Sequence, residues 1–290
     1  MFVTVLNVVV DGLLLGGIYA LIAMGLSLQY GVARVLNVAH GEFIMLGAFV
    51  TWGLYTAFGI NPLVSLAISG PAALLIGYVL HRTLFARLRR SSLTQGAYEG
   101  NSMLASFGLL FIIQNVALLV WGASIKGYSY LASPVDLGGA LFAANRLVTL
   151  GFAMAIGLTF YIFLARSRVG KAIRAAAQDS ATAGLMGVNI NQMLALCFGL
   201  GALMAGFAGS LVSIARPAIN PTMGLEYTII AIIVVVLGGL GSIPGSFVGG
   251  LTLGLVGSVV AYNEPGLSLA AYYLLFMVLL VVRPKGIMGK

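Results

Sequence analysis

Long apolar runs, broken by short polar or glycine-proline stretches, pattern this chain from one end to the other. The runs occupy residues 3–30, 43–58, 63–85, 103–121 and 147–164, then 193–214, 227–240, 247–262 and 267–282. A helix needs about 20 apolar residues to cross the hydrocarbon core of a bilayer, so the pattern predicts an all-α, polytopic membrane protein with about eight to ten transmembrane or partly re-entrant helices. Residues 43–58 and 227–240 are short for a full crossing and are candidates for broken or re-entrant segments.

Small residues recur at four-residue spacing within the runs: Gly12 and Gly16; Gly201, Ala205 and Gly209; Gly241, Gly245 and Gly249. In lipid this spacing lets helix backbones approach closely. No internal duplication is visible, so residues 1–290 are read as a single transmembrane domain.

Composition narrows the classes further. Of 290 residues, 60% are hydrophobic and only 8% charged, which leaves no room for a soluble catalytic domain. The first residues carry Asp11 instead of a basic leader and are expected to form a retained helix. Cys197 is the only cysteine, excluding a disulfide framework or a cysteine metal cluster within one chain.

The net charge of +8 gathers at the ends of apolar runs and not along one polar face, so no nucleic-acid partner is expected. With the N-terminus outside and all nine runs crossing, Arg34, Arg82, Arg87, Arg89, Arg90, Arg166, Arg168, Lys171, Arg174, Arg283, Lys285 and Lys290 lie inside. Only Lys126, Arg146 and Arg216 lie outside. This asymmetry places the C-terminus in the cytoplasm. The same orientation puts Trp52, Tyr55 and Trp121 near the outer interface, where amphipathic rings are favoured.

Three polar stretches could carry function. Asn37-Val-Ala-His-Gly-Glu42 precedes the second run and sets His40 and Glu42 at the edge of the membrane. One reading is a polar element at the inner mouth of a solute path, with Gly41 allowing close backbone approach and Glu42 paired to His40 or to a backbone donor. The other is helix capping by Asn37, with Glu42 at the positive end of the helix dipole. Both stay open.

The second stretch, about residues 166–192, reads as a short cytoplasmic helix. Its alanines favour helix, Gly184 and Gly187 end it, and Lys171 and Arg174 project toward the cytosol to dock a partner. An ordinary inner loop whose charges only fix orientation is the plainer alternative.

The third, residues 238–245, lacks the spacing and context of a phosphate-binding loop. Irregular glycine and proline at membrane depth suit a cavity lining, or a plain tight turn. Gly170-Lys171 is followed by Ala172 where a nucleotide loop needs Ser or Thr, so the chain is not expected to hydrolyse ATP. His81 and Glu226 sit where interfacial charge is ordinary, and no catalytic or metal-ligand arrangement emerges. A proton-coupled secondary transporter working through His40 and Glu42 remains an alternative, disfavoured by the lack of further intramembrane acids. A non-transporting scaffold subunit is a second alternative, which the packing glycines permit.

Asn37-Val-Ala-His-Gly-Glu42, Gly170-Lys-Ala-Ile-Arg-Ala175 with Gly187-Val-Asn189, Leu237-Gly-Gly-Leu-Gly-Ser-Ile-Pro-Gly245 and the closing Arg283-Pro-Lys-Gly-Ile287 occur in this order. Together they resemble the LivH-type permeases of branched-chain amino-acid ABC transporters. The resemblance implies a bacterial inner-membrane importer in which the chain pairs with a second homologous permease, two cytoplasmic ATPase subunits and an extracytoplasmic solute-binding protein. It further implies that ATP is used by the partner subunits and that this chain binds no cofactor.

By the same resemblance, residues 171–189 correspond to the ATPase-coupling region, with Gly170, Lys171, Arg174, Asp179, Gly187 and Asn189 as candidates. Asn37, His40, Gly41, Glu42, Gly239, Gly241, Ser242 and Pro244 are candidates for the translocation path. The outer loops at residues 122–146 and 216–226 would face the binding protein. The coupling segment reads Ala175-Ala-Ala-Gln-Asp179, without the acid that many importer permeases carry before the alanines.

Overall fold

The computed structural model describes residues 2–216, 218–283 and 285–289; Lys290, counted above among the inner cations, and Pro284 of the closing motif lie outside them. Among the described residues, eight helices are long and apolar enough to cross a membrane, and a ninth apolar helix is shorter.

The first half contains α1 (Phe2–Leu28), which widens into a π turn at Gln29–Ala33, then α2 (His40–Phe58) and α3 (Leu66–Leu80). The latter runs through a second π turn into α4 (Ala86–Ser91), which is followed by α5 (Gln95–Trp121). A hairpin of β1 (Pro134–Leu137) and β2 (Ala140–Ala143) is the only sheet among the described residues and leads into α6 (Ala144–Arg166). Two short helices follow, α7 (Arg168–Gln178) and α8 (Ser180–Leu185). The chain then forms α9 (Ile190–Ala215), α10 (Met223–Gly238), α11 (Ile243–Asn263) and α12 (Ser268–Val282). Helix α5 starts eight residues ahead of its apolar run because Thr94 caps it, its hydroxyl accepting from the Ala97 amide at 3.2 Å.

The predicted small-residue spacing sets the core. Helices α1 and α11 lie antiparallel, Gly12 facing Leu255 and Ser258 while Gly16 faces Leu251 and Gly254. Helix α9 is the central element, buried along most of its length and flanked by α2 and α3. Hydroxyls tie these three helices: Thr51 donates to Ser210 at 2.8 Å, Ser65 donates to Thr51 at 2.9 Å, and Ser69 bonds Ser210 at 2.6 Å. Away from water such bonds hold helices in register.

At the end expected to lie outside, Phe49 stacks on Trp121 at 4.7 Å, Tyr55 packs on Tyr128 at 4.7 Å, and the Lys126 ammonium lies 5.7 Å from the Trp52 ring centroid. The rings therefore gather at one rim, as an interfacial belt does. His81 differs from its interfacial expectation, because it is buried against Phe85 and Phe198.

Of the two short segments, the first becomes α2, long enough to cross, and the second becomes α10, which is shorter. Between the end of α9 and Met223 the backbone is irregular, yet it is not left unpaired: Ile219 and Lys126 exchange both backbone hydrogen bonds, at 2.8 and 2.9 Å. This pairing ties the segment before α10 to the loop after α5, at the rim where Lys126 meets Trp52.

Candidate functional site

The start of α2 meets the start of α10. The Gly41 amide donates to the Thr228 hydroxyl at 2.8 Å, and that hydroxyl donates to the Val38 carbonyl at 3.0 Å. A methyl group added at Gly41 would strike the Gly224 carbonyl, and one at Gly224 would strike the Glu42 carboxyl. Glycine is required on both sides of this crossing.

His40 is fully buried, and its Nε2 lies 3.1 Å from the Ile22 carbonyl of α1; a carbonyl can only accept, so Nε2 carries the proton. Ile22 is 11 residues along α1 from Asp11, roughly 16 Å at the helical rise. His40, Gly41 and Glu42 thus form the first turn of α2 and pack against the second half of α1.

Two expectations for this element need correction. Glu42 pairs with neither His40 nor a backbone donor: both carboxyl oxygens are buried and without a hydrogen-bond partner among the described residues. They face the amino ends of α2 and α10, whose dipoles oppose the cost of a buried carboxyl. Asn37 does not cap α2, whose cap position is Ala39 with no side-chain bond. Its Oδ1 accepts from the Ala39 amide at 3.2 Å and its amide donates to Gln29 at 3.4 Å, so it orders the loop from within. Glu226, expected at an outer surface, lies on the exposed side of the first turn of α10, two residues beyond Gly224.

Gln29 is a residue the sequence reading missed, although an amide inside a long apolar run was its signal. It also donates to the Phe198 carbonyl of α9 at 2.9 Å. Two residues on, in the same π turn, Gly31 packs on Gly241 of the glycine-rich loop. The π turn thus touches both predicted polar elements.

That loop, between α10 and α11, turns through positive φ at Gly239 and Gly241, and Ser242 caps α11 by accepting from the Gly245 amide at 3.2 Å. Gly241, Ser242 and Pro244 line a cavity of about 520 Å³ together with Ser27, Ile173 and Arg174. A smaller apolar cavity of about 170 Å³ lies between α1, α6 and α11, against Met24 and Phe247, and shares Tyr161 and Pro244 with the first. Gly239 lies away from the cavity, under the tail: the Ile287 and Met288 amides donate to the Leu237 and Gly238 carbonyls at 2.8 and 3.1 Å.

Arg174 is exposed, as Lys171 is, yet its guanidinium also turns back onto α6. Helix α7 folds back beneath α6 after Ser167, burying Gly170, Ile173 and Ala176 on one face. From there the Arg174 guanidinium donates to the Leu164 carbonyl and, at 3.1 Å, to the Ala165 carbonyl, two of the terminal acceptors of α6. Lys171 remains exposed.

The other coupling candidates shape helix ends. Asp179 caps α8 and Asn189 caps α9, accepting from the Gln192 amide at 3.1 Å. Gly187, at φ +87°, reverses the chain after α8, whereas Gly184 lies within that helix.

The Asp179 carboxyl is held below the usual carboxylate range, first by the Thr182 hydroxyl and then by the Thr182 and Ala181 amides. A depressed folded value means the cap is fully formed above the ordinary carboxylate range and is lost only as pH falls through the lowered value. Hydrogen exchange at Ala181 and Thr182 is accordingly expected to stay slow through ordinary carboxylate titration and to accelerate below it. Acceleration within the ordinary range would show that the cap does not hold the carboxylate.

Residues 8–283 match the family described as "Branched-chain amino acid transport system / permease component". The chain is 32% identical to the high-affinity branched-chain amino acid transport system permease protein BraD of Pseudomonas aeruginosa, over 98% of this chain and 96% of that protein. It is 30% identical to the corresponding LivH protein of Escherichia coli, over 100% and 97%. A fructose import permease protein, FrcC of Rhizobium meliloti, is 26% identical over 88% and 75%. This multi-pass membrane chain belongs to the family of branched-chain amino acid transport system permease components.

Proposed function

We propose that the chain is the membrane permease of an ATP-driven importer for branched-chain amino acids or related small polar solutes. In this reading it pairs with a second homologous permease, two cytoplasmic ATPase subunits and an extracytoplasmic solute-binding protein in the bacterial inner membrane. Its N-terminus is outside and its C-terminus cytoplasmic. ATP is used by the partner subunits, this chain binds no cofactor, and the coupling segment at about residues 166–192 belongs to one membrane domain.

The observation that carries the mechanism is the Arg174 bond to the end of α6. A push from an ATPase on α7 passes through that guanidinium to a membrane helix, and the cavity beside Ser242 and Pro244 changes shape with it. Coupling of this kind needs contacts that differ between two states. The path candidates Asn37, His40, Gly41 and Glu42 are buried at the α2–α10 crossing, so in this reading they meet solute only in a state in which that crossing opens.

Gentle affinity purification from the native membrane, with mass spectrometry of what remains bound, tests the assembly. Co-purification of an ATPase with a nucleotide-binding loop and of a second permease is the expected result. A chain that purifies alone and drives uptake from a proton gradient would replace this reading with secondary transport. An intact assembly that moves no solute would replace it with a scaffold.

A further inference from the structure

At the opposite end of the α1–α6–α11 seam lies a cavity of about 280 Å³ that none of the path or coupling candidates lines. Its charged groups come from three elements: Asp11 on α1, Arg146 at the start of α6 and Arg216 just past α9. Leu14, Leu15 and Ile18 form its apolar side along α1.

Arg146 donates to Asp11 Oδ1 at 3.0 Å, the only ion pair among the described residues, and Oδ2 accepts no hydrogen bond from them. Arg216 is left without a carboxylate within ion-pairing distance among those residues. The cavity thus holds a free forked cation, a half-engaged carboxylate and an aliphatic wall.

We propose that this cavity receives a zwitterionic α-amino acid with an aliphatic side chain, as it is passed to the permease from outside. The solute carboxylate takes the Arg216 guanidinium in paired hydrogen bonds, the geometry to which that group is suited. The solute ammonium takes Asp11 Oδ2, and the side chain lies on Leu14, Leu15 and Ile18, where burial of each methylene adds to binding. A bound zwitterion leaves the net charge of the cavity unchanged. The volume falls near the lower end of small-molecule sites, about 300–1,000 Å³, which suits one amino acid and excludes a peptide. The inference rests on the importer reading and adds to it a binding place formed by Arg216, Asp11 and the α1 leucines.

The test uses the whole transporter in nanodiscs without binding protein, with saturation-transfer NMR on the methyl protons of L-leucine. Leucinamide, which lacks the carboxylate, and isovalerate, which lacks the ammonium, serve as probes. Leucine is expected to bind about tenfold more tightly than leucinamide, the value of one charged hydrogen-bonded contact. Arg216→Gln is expected to erase that difference, Arg216→Lys to restore part of it, and Asp11→Asn to erase the difference between leucine and isovalerate. Lys126→Gln, an outer cation away from the cavity, is expected to change neither. Absence of leucine binding, or a leucine preference that survives Arg216→Gln, would overturn the inference. Uptake by the unmodified transporter with its binding protein, measured alongside in proteoliposomes, tests the importer reading separately: leucine uptake with an unaffected Arg216→Gln leaves that reading standing and removes only this site.

Discussion

Gly41→Ala is expected to give low yields of the assembled transporter and to reduce solute uptake at least tenfold. The added methyl would occupy the position of the Gly224 carbonyl, and neither backbone can yield without separating α2 from α10. Overpacking of this kind costs about 1–3 kcal/mol, more where the obstacle is main chain. Separation would also break the bond from the Gly41 amide to Thr228, leaving a buried donor unpaired at a further cost of about 1–3 kcal/mol. Gly53→Ala in the same helix meets open space and is expected to be neutral or slightly stabilising. Thermal stability and uptake of the two variants, measured side by side, decide the matter: equal behaviour would mean that α2 and α10 do not need their close approach.

The second large effect is expected at Arg174. Arg174→Glu removes two hydrogen bonds and places a negative group beside the negative end of the α6 dipole. The complex is expected to assemble and hydrolyse ATP while uptake falls about tenfold or more, because α7 no longer pulls on α6. Arg174→Lys keeps the charge but reaches one carbonyl at a time, so partial coupling is expected. Solute moved per ATP is the quantity to measure. An unchanged ratio in Arg174→Glu would show that force does not pass through this contact.

Helix positions were largely legible in the sequence because nothing competes with a long apolar run in lipid. The errors fall at polar ends: α5 begins at Gln95, ahead of its apolar run, since the cap is a polar residue that hydropathy ignores. The candidate site was legible in composition but not in placement. His40 and Glu42 stand out as ionisable groups, yet their burial depends on where α10 begins, almost two hundred residues later, and on an irregular segment whose backbone pairs with a distant loop. Arg174 is the surface cation the sequence suggests, but its bonds to the end of α6 show only once α7 is seen to fold back. The Asp11–Arg146 pair joins positions 135 apart, with nothing in either neighbourhood to announce the other.

The tail folded over Gly239 bears on how this protein is handled. Residues 287 and 288 hold the final carbonyls of α10, and Gly286 packs directly on Gly239. A purification tag fused a few residues downstream would tug on the hinge of the glycine-rich loop, and trimming these residues would strip that helix end of its partners. A fusion at the amino end, ahead of α1, would spare that hinge.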